Sequence, residues 1–273
     1  MSARPSLAEF AGLARSLVIY RALPGRRRAL TRFYGELLAP DALAFDIGAH
    51  VGNRTAALLA LGARVVALEP QPLFARTLTR LHGRDPRVAL IESAVGREAG
   101  SATLAISRRH PTVSTLSTDW IDRVGTTAGF ERVRWDRSVT VPVTTLDALV
   151  SRYGRPDFCK IDVEGMEEEI LAGLSVALPL VAVEYLPATL DIALGCVARL
   201  DSLGHYAYNF SRGESHRLAL DAWTDGATLG ESLRRAVRDG VSGDLYARLV
   251  APPPDARLRP IDRSPPPQPE ARP

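Results

Sequence analysis

The stretch Ala44–Thr55, AFDIGAHVGNRT, decides how the rest of the chain is read. An apolar run carrying one carboxylate, Asp46, leads into glycines at 48 and 52, and a helical pattern begins at Asn53. A strand entering a helix through a glycine-bearing turn is where α/β proteins hold a ligand against the backbone. The spacing excludes the two commonest forms of that turn. A phosphate loop needs Gly-Lys-Ser/Thr at the helix start, and none is present. The dinucleotide loop GxGxxG needs glycines at 48, 50 and 53, where the chain has Gly48, His50 and Asn53. What remains is D-x-G-x-x-x-G. Gly48 and Gly52 allow close backbone approach or positive φ, while the Asp46 carboxylate repels phosphate and attracts an ammonium group.

Outward from this junction the chain alternates. RVVALEP, RVALIESAVG, SVTVPV, DFCKIDV and PLVAVEYL read as strands, with helical spacing mostly between them. A short strand is expected at GSATLAIS, and HYAYNF, a helix near 227–239 and DLYARLV close the pattern. Strands separated by helices of that length imply parallel pairing through right-handed crossovers, hence a doubly wound α/β sheet. Ligands of such sheets lie beyond the carboxyl ends of the strands. Before residue 42, Leu7, Phe10, Leu13 and Leu17 share one helical face, and a second helix follows Pro24-Gly25. Residues 1–41 are therefore expected to be a helical extension of a 42–250 domain. Residues 107–137 lack periodicity and form an irregular excursion, either an acceptor pocket or lid, or a solvated insertion. The Pro- and Arg-rich segment 251–273 is expected to be a disordered tail.

Composition narrows the function classes. A net charge of +3 with 6% aromatic residues supplies neither the basic stripe nor the stacking surface of a nucleic-acid binder. Cys159 and Cys196 form no CxxC pair, which argues against a disulfide framework or a zinc knuckle. No apolar run approaches the ~20 residues of a membrane span. Glu9, Arg15 and Arg21 interrupt the apolar segment a signal peptide would need. A cytoplasmic protein without integral membrane association is expected. Of the 34 Lys and Arg residues, one alone is lysine, Lys160.

The next strand end, VVALEP, places Glu69 where a carboxylate can accept both hydroxyls of a ribose. A third, ESAVG, offers Ser93 and Ala94 beside the space an adenine edge would fill. A ligand with an amine, a ribose and an adenine but no phosphate is S-adenosyl-L-methionine. The motifs FDIGAHVG, LEPQP, SAVG and above all CKIDVEGMEEEILAG, spread over roughly 42–212, resemble the FkbM-type methyltransferase family. The resemblance implies a class I, Rossmann-like methyltransferase fold with a mostly parallel seven-stranded sheet. It implies S-adenosyl-L-methionine as cofactor and O-methylation of a hydroxyl on a sugar, glycan or natural product. It also implies a cofactor site of Asp46, Gly48, Ala49, His50, Gly52, Glu69, Pro70, Ser93 and Ala94. His50 stands where the family more often has Asn.

In FCKID, Lys160 and Asp162 alternate onto one face and project together at the strand end. Glu184 ends VAVEY, adjacent to Asp162 if the strand order is the usual one for the class. In direct methyl displacement the protein aligns acceptor oxygen, methyl carbon and sulfur, and takes up the hydroxyl proton. Asp162, Glu184 and Lys160 are the catalytic candidates, with Lys160 orienting Asp162 or the acceptor. The other reading of Lys160 is a buried ion pair that fixes the strand end. Glu167–Glu169 suit the positive end of a helix, and Glu164 stands open between substrate contact and capping. His110 and Ser114 are candidate acceptor contacts. No metal is expected, although Asp162 and Glu184 together would suit a divalent cation. Arg26–Arg28 read as a solvated helix face or as a site for a phosphorylated carrier. The partner is a small-molecule or glycan acceptor, with nucleic acid excluded. Two rival readings keep the fold: a protein that binds S-adenosylmethionine without turnover, and a nicotinamide-dependent oxidoreductase.

Overall fold

The computed structural model describes residues 6–21, 24–127 and 129–251. Two helices lead, α1 (Leu7–Arg21) and α2 (Pro24–Leu37), before β1 (Leu43–Ile47). Then come α3 (Asn53–Ala60), β2 (Arg64–Leu68), α4 (Pro72–His82), β3 (Val88–Ile91), β4 (Ala94–Val95) and β5 (Gly100–Ile106). A 3-10 turn (Pro111–Val113) and α5 (Thr118–Val124) precede β6 (Arg137–Thr144), α6 (Leu146–Tyr153), β7 (Phe158–Ile161) and α7 (Glu167–Ala172). The chain continues through β8 (Leu180–Tyr185), α8 (Leu190–Leu203), β9 (His205–Phe210), α9 (Gly226–Arg238) and β10 (Gly243–Ala251).

The main sheet has seven strands in the order β3-β2-β1-β7-β8-β10-β9. The first five run parallel, and β10 is antiparallel to both β8 and β9. This is the expected doubly wound, mostly parallel α/β sheet. All five residues of β1 are buried, because helices cover both faces of a parallel strand and leave it no polar alternation. On one face Leu30, Phe33 and Tyr34 of α2 and Leu58 of α3 pack with Ala44, Phe158, Ala182 and Tyr246. On the other, Leu149, Ile170, Leu171, Leu200 and Leu233 pack with Phe45, Cys159, Ile161, Val181 and Val183. Cys159 and Cys196 are both free and buried. Strand order turns between β1 and β7, which opens a crevice at their carboxyl ends.

Two local expectations, on RVALIESAVG and on the face of α1, are corrected. RVALIESAVG is two strands: β3 joins the main sheet, and β4 pairs with β6 in a second sheet of order β4-β6-β5. The Ser93 hydroxyl, 2.8 Å from the Ala94 carbonyl and 3.0 Å from that of Pro142, marks the bend between them. The face of α1 is also different, since Leu7 and Phe10 are exposed and Gly12 and Ser16 are buried. A Cβ on Gly12 would lie 2.6 Å from the Arg108 carbonyl oxygen, so the small residue lets the helix lie close against the chain around Pro111. The excursion 107–137 has a core of its own in Trp120, 1% exposed, which meets Phe130 and Trp135 edge-on. The tail expected over 251–273 lies, beyond Ala251, outside the described residues. No helix among the described residues is long and apolar enough to cross a membrane.

Candidate active site

The loop after β1 is held by its own backbone. The Gly48 and Ala49 amides both donate to the Leu68 carbonyl, at 3.0 and 2.9 Å. Gly48 has φ +83° and its missing side chain leaves room for the Asp162 carbonyl, which a Cβ would meet at 1.9 Å. Gly52, φ +73°, similarly admits Leu78 and His82 of α4. Both glycines thus serve the joining of chain segments. Asp46, 1% exposed, accepts a 2.5 Å bond from the Thr55 hydroxyl.

Beside this loop lies an open groove at the carboxyl ends of β1 and β2. Its walls include Gly48, Glu69, Pro70, Ser93, Ala94 and, from the excursion, Ser114. Glu69 accepts the His50 amide on one carboxylate oxygen and the Gln71 amide on the other, both at 2.8 Å. Each oxygen keeps a second lone pair, and a ribose diol supplies the two donors that fit. Burial pushes the Glu69 carboxyl up to about 7, against the two amides that pull it down. Glu69 could hold a ribose here, and Leu68, Val95 and Leu104 supply apolar surface for a ring.

A second, acidic cup shares Gly48, His50, Thr112, Asp162 and Glu164 with the groove and adds Asp46, Ala49 and Glu184. Carboxylate oxygens of Asp162, Glu164 and Glu184 all lie within 4.8 Å of one another. They could hold a divalent cation or orient a hydroxyl. Their environments differ. Lys160 Nζ lies 3.3 Å from Asp162, 3.0 Å from Asp244 and 3.1 Å from the Ile161 carbonyl, three acceptors for its three donors. Arg54 lies 3.4 Å from Asp162 and 3.6 Å from Asp244. Burial raises the Asp162 carboxyl, but Lys160 and Arg54 outweigh it and hold it below its ordinary range. No cation pairs with Glu184 or Glu164 among the described residues. Burial, followed by the neighbouring charge of Asp162, pushes both well above the ordinary carboxyl range.

The segment bearing Glu164 is clamped. Its φ is +60°, and its carbonyl accepts a 2.6 Å bond from the Thr115 hydroxyl. A Cβ on Gly165, φ +99°, would lie 2.4 Å from Trp120. Turn capping falls to Glu167, which accepts the Val163 and Gly165 amides at 3.1 and 3.0 Å. The His50 ring stacks on Phe74, with centroids 4.6 Å apart. Burial lowers its pKa to about 4, so the ring is neutral, and its Nε2 is buried without a hydrogen-bond partner.

Asp162, Glu184, Glu164, Asp46, Ala49 and His50 thus meet at the cup, and Glu69, Pro70, Ser93, Ala94 and Ser114 in the groove. Lys160 is fully buried, one register row deeper, opposite Asp46. His110 lies at the surface, 3.2 Å from Arg15. Arg54, Asp244, Thr55 and Tyr20 escaped the sequence reading. Arg54 and Thr55 stand two and three residues after the second loop glycine, a signal that was present; Asp244 and Tyr20 carry none.

The sequence model of the methyltransferase FkbM domain matches residues 46–188, more than half of the chain. No curated protein matches it. Similar solved structures include a TehB-like SAM-dependent methyltransferase from Corynebacterium glutamicum, 11% identical with a TM-score of 0.43 over 90% of this chain and 100% of that one. The O-methyltransferase TomG from Streptomyces achromogenes, in complex with SAM, is 11% identical with a TM-score of 0.42 over 91% and 92%. A putative O-methyltransferase from Klebsiella pneumoniae is 9% identical with a TM-score of 0.43 over 92% of each. Likenesses of that size speak to no residue of the site.

Proposed function

The chain belongs to the FkbM methyltransferase family, whose methyl donor is S-adenosylmethionine, and from that premise we propose an O-methyltransferase acting on a hydroxyl of a sugar, glycan or natural product. The supporting observation is the trio Asp162, Glu164 and Glu184, gathered within 4.8 Å where the groove meets the cup. When bound, S-adenosylmethionine supplies an electrophilic methyl group carried on a sulfonium.

The chain's own residues do the rest. Glu69 accepts the ribose hydroxyls, and Asp162, kept ionised by Lys160 and Arg54, accepts a hydrogen bond from the acceptor hydroxyl and orients it. Glu184 takes the hydroxyl proton. No cation forms an ion pair with it among the described residues; burial and the charge of Asp162 outweigh the pull of Lys160 and raise its pKa, which makes its ionised form the stronger proton acceptor. Glu164, fixed by Thr115, faces the same oxygen from the turn.

The test is methyl transfer to a panel of sugars, nucleotide sugars and hydroxylated lipids, with the product bond identified by mass spectrometry. Transfer to oxygen is expected, with an acid limb in the pH profile and a loss of about 10²-fold in Glu184→Gln. Methyl recovered on nitrogen or carbon, or a Glu184→Gln rate equal to wild type, sinks the proposal. Retention of the rate in EDTA keeps Glu184 as base, whereas loss reassigns the carboxylates to a cation.

A further inference from the structure

We propose that the acceptor carries a phosphate monoester and that Arg26 and Arg27, in the first turn of α2, hold it. The inference rests on the reading of the acidic cup as the place where the acceptor hydroxyl reacts. A third cavity shares Tyr20, Asn53 and Glu214 with that cup and is lined beyond them by Arg26, Arg27 and His216. The three spaces adjoin in sequence through shared wall residues: the groove beside Glu69, the cup of carboxylates, then the wall bearing Arg26 and Arg27. A molecule whose hydroxyl lies in the cup reaches Arg26 and Arg27 with its other end.

The charge of that wall is uncompensated. Arg26, Arg27 and Arg28 open α2, whose first turn has no acidic residue. Cations are disfavoured at this end of a helix, because the free amides already give it partial positive charge. Among the described residues none of the three forms an ion pair, whereas Arg54, Arg87, Arg108, Arg123 and Arg137 each do. Local conflicts of this kind mark functional positions. One carboxylate, Glu214, enters the cavity wall, and His216 Nε2 lies 3.6 Å from it. Two guanidinium groups line the same wall as that single negative charge. Arg26 Nη1 also lies 3.4 Å from the Ile19 carbonyl, which ties its fork to the end of α1.

The chemistry selects the ligand class. Guanidinium forks beside helix-terminal amides suit a tetrahedral dianion with three acceptor oxygens better than a single carboxylate. The Tyr20 phenol, which burial and nearby carboxylates push up to about 12, stays protonated in the wall shared by the cup and the basic cavity. The methyl donor has no phosphate, and its one anion is the methionine carboxylate; a loss of donor affinity on removing the arginines would assign them to that carboxylate instead of the acceptor. These residues lie outside the family-matched segment, in the part of the chain free to set acceptor choice.

The experiment titrates inorganic phosphate into wild type and into the Arg26→Ala/Arg27→Ala double variant by 31P NMR, with S-adenosylmethionine affinity measured on the same samples by calorimetry. Saturable phosphate binding by wild type is expected, at least tenfold weaker in the double variant, with donor affinity within twofold of wild type. Both arginines are exposed, and retained donor affinity shows that the variant is folded. No saturable phosphate binding, or equal binding by both proteins, overturns the inference. Acetate that binds more tightly than phosphate also overturns it and assigns a carboxylate-bearing acceptor. Wild type that binds phosphate but no S-adenosylmethionine would instead overturn the methyltransferase reading on which the inference rests.

Discussion

Lys160 on β7 reaches across β8 to lie 3.0 Å from Asp244 on β10. The strand it crosses offers Ala182 at the paired position, and Ala182 in turn pairs with Tyr246. A methyl group leaves room for a long side chain to lie over the strand. Asp244 pairs with Glu184, so the same span sets Asp162, Glu184 and Asp244 in one row along the strand ends. Two cations serve this row, and both are engaged with Asp162 and Asp244. Glu184 is left between them with its proton affinity raised.

Removing the ammonium exposes that arrangement. Lys160→Met leaves two largely buried carboxylates with one arginine, and a loss of about 3–5 kcal/mol of unfolding free energy is expected. Adding Asp244→Asn to the same protein should recover part of it. Lys160→Arg keeps the charge but brings a larger planar group into a site with no exposed surface. It should lower methyl transfer at least ~10-fold, or ~1.4 kcal/mol in the barrier. Urea unfolding and turnover together check this, and an unperturbed Lys160→Arg enzyme would contradict it.

Gly48→Ala tests the loop. The new Cβ would lie 1.9 Å from the Asp162 carbonyl at a φ of +83°, so strain and collision act together. The expected cost exceeds ~1 kcal/mol of stability, and S-adenosylmethionine binding should fall, because the loop that presents His50 to Glu69 must shift. Thermal unfolding with and without the donor measures both.

Donor binding should depend on pH through Glu69. Its carboxyl is raised to about 7 by burial, and ribose hydroxyls donate to the ionised form. Below pH 7 the free protein must lose a proton to bind, so affinity falls as pH falls. The apparent Kd should be about tenfold weaker at pH 6 than at pH 8. Glu69→Gln should remove that dependence and weaken binding by about 1.5–3 kcal/mol. The difference between the two proteins cancels titration of the ligand's own amine. Parallel profiles would show that Glu69 does not titrate with binding.

The sheet was legible because parallel strands write themselves as apolar runs between helical patterns. The paired placement of Lys160 and Asp162 followed from strand alternation alone, and the ion pair is there at 3.3 Å. Asp244 was not legible. Its partners lie far back in the chain, and only the antiparallel insertion of β10 beside β8 brings them within reach. The face of α1 was misread for a related reason. Leu7 and Phe10 have the right spacing for burial, but the close approach at Gly12 decides which side meets the domain. The loop glycines were legible as special and not in purpose, since the atoms that crowd them come from β7 and α4.

One lysine in the whole chain, with no exposed surface, has a consequence in the test tube. Amine-acylating esters meet nothing on the native protein except its α-amino group. A second acyl group can be added only when the strand ends at Lys160 come apart. Mass spectrometry of briefly acylated samples therefore counts openings of this strand edge one molecule at a time, without an introduced probe. Rapid double acylation of the native protein would show that this edge opens readily. Slow acylation, slowed further by the methyl donor, would show that the donor locks it.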